Sequence, residues 1–183
     1  MKLLKNRRFA WLITYFLIFL SIIIGGARSL YQLQEKVEYK YENGISDKGY
    51  GIPYYLTARI DNSINLVTVA NRWIPGDKAV EAVIAARNQL IAAKTPGEQY
   101  RANTELTTST TALYERLGEI EMDARDLGYR QSLFVDLTSN NSAITFAGEE
   151  YNLEADKFNS VLKKFPASLI RIVTNIKMAE LYE

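Results

Sequence analysis

Histidine and cysteine are both missing from this chain of 183 residues. Without them no disulfide framework, thiol nucleophile, Cys/His zinc site, haem-attachment motif or Ser-His-Asp triad can be assembled. The Glu-x-x-His ligand motif of di-iron bundles is excluded on the same ground. A general acid or base would have to be Asp, Glu, Lys or Tyr with a shifted pKa. Nothing in the sequence calls for a cofactor or a metal, and the expected function is not enzymatic. Proline is scarce too, with four residues, so few interruptions of helix are expected.

Negative charge is absent from the first 27 residues. All 21 acidic residues lie beyond Ala27, whereas Lys2, Lys5, Arg7 and Arg8 precede it. Removing those four cations leaves 18 basic residues against 21 acidic ones in the body, a net charge of −3. A weakly acidic body without a basic stripe is a poor partner for nucleic acid, whose binding rests on neutralising phosphates. No nucleic-acid partner is expected.

Phe9 to Ala27 is a run of 19 residues without a charge. As a helix it would be about 28 Å long, close to the hydrocarbon thickness of a bilayer. Trp11 and Tyr15 near one end and Tyr31 past the other suit the headgroup region. The leading cations favour a cytoplasmic N-terminus with the bulk outside. A cleavable signal peptide ending at Gly25-Gly26-Ala27 is the rival reading, although its apolar core would exceed the usual 7–15 residues. The expected organisation is a basic cytoplasmic segment 1–8, a transmembrane signal anchor 9–27, a helical bundle 28–166 and a tail 167–183.

Beyond the anchor, Leu30–Tyr41 reads as its outward continuation, followed by a glycine-rich loop at 44–51. A helix starting near Pro53 carries Leu56, Ile60, Ile64, Val67 and Ile74 as its apolar stripe. Pro75-Gly76 interrupts it, and Asp77 is a plausible N-cap for a helix over 78–94 with Val80, Val83, Ile84 and Ile91 inward. Thr95-Pro96-Gly97-Glu98 combines a cap, a first-turn proline and a glutamate at the third position. From there Leu106, Thr110, Leu113, Leu117, Ile120, Ala124 and Leu127 recur at steps of three and four, the repeat of a supercoiled seam, with Gly128 as the stop. A last helix over 130–165 continues the pattern through Leu133, Leu137, Asn141, Ile144, Gly148, Tyr151, Ala155, Phe158, Leu162 and Phe165. The fold class expected is all-α: an elongated antiparallel bundle of three to four long helices preceded by one transmembrane helix.

Asn141, Gly148 and Thr110 interrupt these seams. They read either as a polar, ligand-facing groove or, preferably, as a register device, since one buried Asn fixes helix alignment. Asp61, Asp123 and Glu149 lie near the seams, where a divalent cation is conceivable and solvated faces are the plainer reading. Tyr31, Tyr39, Tyr41, Tyr50, Tyr54 and Tyr55 place six of twelve tyrosines in 25 residues, as a contact surface above the membrane or as packing for the loop.

Tyr151-Asn152, Phe158-Asn159 and Phe165-Pro166-Ala167-Ser168-Leu169-Ile170 resemble the YN…YN…FPxNLI run of the LemA family of bacterial membrane proteins, and Met178–Glu183 resembles its acidic-aromatic tail. Ala58–Val67 is similar to the family's RxDLIPNLV segment and Glu81–Asn88 to its EAVVEARN segment. Ile64 stands where the family has proline and Ser168 where it has asparagine, and the segment 43–53 replaces a NAWSQID-like stretch. The likeness implies a membrane anchor and an antiparallel bundle of long helices, and it brings no catalytic residues. Asn65, Arg87, Asn152 and Asn159 match family positions and are expected to form interhelical hydrogen bonds, because an unpaired buried amide costs about 1–3 kcal/mol.

The expectation from the whole is a single-pass protein of the bacterial cell membrane, held by residues 9–27 in the bilayer, that scaffolds another membrane or envelope protein or a second copy of itself. A sensor for a small molecule or ion between the helices is the alternative, and an enzyme working through carboxylates alone is the remotest.

Overall fold

A computed structural model describes residues 7–44 and 50–183. Among them all regular structure is α-helical, in the order α1 Arg7–Asn43, α2 Ile52–Trp73, α3 Lys78–Ala92, α4 Pro96–Gly118, α5 Ala124–Leu162 and α6 Ala167–Thr174. The chain divides into two compact units. The first takes the described residues up to Val37 with Ala155–Ala179; the second takes Glu38–Glu154 with Glu180–Glu183.

In the second unit each helix start has a local cause. Asp77 accepts from the Ala79 N–H at 2.8 Å and caps α3. Thr95 and Glu98 close a reciprocal capping box at the head of α4, which satisfies donors that a helix N-terminus would leave open. Between α2 and α3, Gly76 takes the left-handed backbone that the tight turn requires, at φ 76°. The helices alternate in direction: the Asp77–Arg116 ion pair joins the start of α3 to the end of α4. Asn103 meets Asn141 while Tyr114 stacks on Phe134, so α4 and α5 run antiparallel.

The break between α4 and α5 falls earlier than the seam spacing suggests. α4 ends at Gly118, and Asp123 accepts from the Asp126 N–H at 2.8 Å to start α5. Gly128, read as a stop, lies exposed inside α5. The cause is that Asp123 offers a cap precisely where Ile120, Ala124 and Leu127 keep the three-four rhythm; Leu127 is consequently exposed. The α2 seam is also displaced. Leu56 and Val67 face inward as expected, Ile64 is exposed, and Ile52, Arg59, Ser63, Leu66 and Ala70 join the inward side. On α3, Ile91 points outward and Ala86 and Leu90 inward.

In the first unit α1 exposes Leu12, Phe16, Leu17, Ile18, Phe19 and Ile24, and it is long and apolar enough to cross a membrane. α5 stops at Leu162, so Phe165 does not extend the seam and is 83% exposed. α6, a helix that the periodicity did not announce, packs Ile170 against Gly26 of α1, where its Cδ1 occupies the space a Cβ would need. Most of the glycine-rich loop lies outside the described residues. At its far edge Tyr50 stacks on Tyr54 at 3.9 Å, with Tyr55 edge-on to both.

Candidate functional site

The centre of the second unit holds a cation. Arg59 is 1% exposed. Its Nη1 donates to the Leu137 carbonyl oxygen at 2.5 Å and its Nη2 to the Thr107 hydroxyl at 2.7 Å. Its Nε is buried without a partner, and no carboxylate among the described residues pairs with it. Burial pushes the guanidinium down to about 10, which leaves it charged at neutral pH. Nearby, Asn141 accepts from Asn103 Nδ2 at 3.0 Å and from Thr107 at 3.3 Å. These bonds tie α2, α4 and α5 together through polar groups, which fixes the helices at one register because a slip by a turn would leave each group unpaired.

Above this centre lies a groove of about 390 Å³ between α4 and α5, bordered by Tyr100, Thr104, Thr108, Thr145 and Glu149. The tail closes one end. The Tyr182 ring packs over Gly148, where a Cβ would lie 2.9 Å from its Cδ1, and meets Tyr100 edge-on at 5.5 Å. The Tyr182 hydroxyl and the Asn103 Oδ1 are buried there without partners. Burial raises the Tyr182 phenol above its ordinary range, and it brings both Tyr41 and Tyr151 up to about 12. Tyr41 donates to Gln99 and its ring meets Tyr151 edge-on.

The asparagines named from the sequence do different jobs. In the second unit Asn152 accepts from the Tyr182 N–H at 2.7 Å and donates to the Tyr182 carbonyl at 3.1 Å. In the first unit Asn159 accepts from the Ala179 N–H at 2.8 Å and donates to the Ala179 carbonyl at 2.9 Å. Each side-chain amide therefore behaves as a peptide group laid beside the tail. Asn65 sits exposed on α2 and makes no side-chain hydrogen bond with described residues. Arg87 reaches only Asn88 of its own helix, at 3.3 Å. Asn65 faces outward and Arg87 is half-buried with its Nε unpartnered, so neither makes the interhelical hydrogen bond expected.

Sequence reasoning overlooked two further groups. Asp126, 1% exposed, receives Arg72 Nη1 at 2.7 Å and Trp73 Nε1 at 2.9 Å, clasping the end of α2 to the start of α5. The other is an outward stripe on α5: Val135, Phe146 and Leu153 are 63%, 59% and 53% exposed. Steps of eleven and seven return a helix to within about 20° of one face, so the three line one side over about 27 Å. Among the described residues no three carboxylates gather to hold a metal; Asp123 is spent on its cap and Asp61 and Glu149 are exposed.

The family model of the LemA family matches residues 50–183, which takes in α2 to α6 and the tail and leaves α1 outside. No curated protein matches the chain.

Proposed function

The chain belongs to the LemA family, and from that premise we propose that it is a docking module of the bacterial cell membrane: α1 spans the bilayer with its N-terminus cytoplasmic, and the helical body binds a helix of another envelope protein without covalent chemistry. The observation that carries this reading is the stripe Val135, Phe146 and Leu153. Apolar side chains repeated along one exposed helix face are the pattern that a partner helix buries, and an isolated exposed apolar residue would carry no such meaning. The missing histidine and cysteine support a role in binding over one in catalysis. A photo-crosslinker at Phe146, used in intact membranes, tests the proposal. Capture of a defined second protein, lost on Val135→Glu with helix content unchanged, supports it. Recovery of the chain alone, or only as its own dimer, overturns the adaptor role.

A second reading has its own observation. The groove between α4 and α5 stands over the unpartnered Asn103 Oδ1 and Tyr182 hydroxyl, and its volume falls in the range of small-ligand sites. A small polar ligand there would raise the melting temperature, because binding to the native state alone stabilises it. A flat thermal-shift screen with sugars, amino acids and divalent cations would remove this option.

A further inference from the structure

We infer that residues 163–178, built around α6, form a second membrane contact: an interfacial wedge whose apolar side chains enter the boundary of the bilayer and whose cations meet anionic lipid headgroups. The inference rests on reading α1 as a membrane span and goes beyond it, since an anchor needs no such wedge.

Three observations within the first unit converge. The first is placement. Ile170, 2% exposed, seats on Gly26, and Gly26 lies at the end of the uncharged run Phe9–Ala27. With α1 in a bilayer, α6 is thereby held where the hydrocarbon gives way to headgroups. The second is an uncovered apolar face. Ala167 and Ile170 are packed, whereas Phe165, Leu169, Ile172 and Val173 are 83%, 41%, 73% and 62% exposed. Steps of three and one put Leu169, Ile172 and Val173 on one side of α6, and Phe165 lies in the turn just before it. So much exposed apolar surface on a short helix would be costly in water.

The third observation is charge. From Ser160 to Ala179 the chain has Lys163, Lys164, Arg171 and Lys177 and no acidic residue. Lys163, Lys164 and Lys177 are exposed. An acid-free basic rim around an apolar face is the composition of helices that lie in the plane of an anionic membrane surface. A protein partner would be under no pressure to share the level of Gly26, whereas lipid is already there.

The chain has no native cysteine, so a single introduced one can carry an environment-sensitive fluorophore. Full-length Ile172→Cys and Ile18→Cys proteins would be reconstituted in phosphatidylcholine vesicles with and without phosphatidylglycerol. Quenchers would be aqueous iodide, a lipid nitroxide near the headgroup and a lipid nitroxide near the bilayer centre. The wedge predicts that the label at 172 is shielded from iodide and quenched by the shallow nitroxide. It also predicts that changing Lys163, Lys164 and Lys177 to Gln lowers the shallow quenching several-fold in the anionic vesicles alone. An iodide-accessible label at 172 beside a deeply quenched label at 18 overturns the wedge and leaves the anchor standing. Shielding at 172 from iodide and both nitroxides means a second copy covers the face, and that also overturns it. Quenching that ignores the lysine changes refutes the headgroup contact. A label at 18 that no lipid nitroxide reaches defeats the anchor itself.

Discussion

Arg59 hands a hydrogen bond to the Leu137 carbonyl across the middle of the second unit, with no carboxylate among the described residues to balance its charge. A buried cation in that position loses hydration and recovers only part of it through two neutral acceptors. Arg59→Met keeps the volume and removes the charge, so stability should stay within about 1 kcal/mol of the parent or rise. Arg59→Ala leaves a cavity and should lose about 2–5 kcal/mol. Urea unfolding of both variants decides it: equal losses would mean the guanidinium contributes through its bonds rather than its bulk.

Asn159 grips Ala179 by two hydrogen bonds. Asn159→Ala removes both and leaves the Ala179 peptide to water or to nothing, at a cost of about 1–3 kcal/mol. Amide exchange should quicken at Ala179 before it does in α4. Unchanged exchange at that amide would show that the tail is held elsewhere.

The Thr95–Glu98 capping box gives a smaller, local effect. Thr95→Ala should lower stability by about 1 kcal/mol, and Thr95→Ser should restore most of it. A loss far above that would point to Thr95's second bond, its hydroxyl to Glu180 at 3.0 Å, as the greater contributor.

Alkaline pH should loosen the second unit. Tyr41 and Tyr151, held neutral by burial up to about 12, keep protons that the unfolded chain gives up near pH 10, and Tyr182 shifts the same way. The native state then binds more protons than the unfolded one, so stability falls as pH rises from about 10 to about 12. Arg59, lowered to about 10, opposes this as a single group against three. Absorbance of tyrosinate should show a late-titrating subset, coincident with loss of helix; a single transition near 10 with helix intact would contradict it.

Much of the fold was legible because the signals were local. The uncharged run, the Thr95-Pro96-Gly97-Glu98 start and the Pro75-Gly76 break each act through their own few residues, and each lies where expected. The inward set Leu106, Thr110, Leu113 and Leu117 was legible as well, since burial follows helical spacing there without competition. Arg59 and Ser63 escaped because a search for apolar steps prefers Ile60 and Ile64, one residue along, and partners in α4 and α5 decide the rotation of α2. The break before α5 escaped because Asp123 acts through one hydrogen bond within an unbroken rhythm. α6 escaped because eight residues are too few for periodicity to speak. Asn152 and Asn159 were marked by the spacing of the family-like motif, yet their partner is chain without regular secondary structure, which leaves no periodic trace of its own.

The pairing of Asn152 and Asn159 with main-chain groups has a bearing on how this protein tolerates change. Neither amide reads a side chain of the tail, so Met178 or Ala179 can be exchanged for other small or flexible residues with little effect on the hold. Length is another matter. Deleting Leu181 would leave Thr95 bonded to Glu180 and draw Tyr182 away from the Asn152 amide, and ought to be felt more than any replacement there.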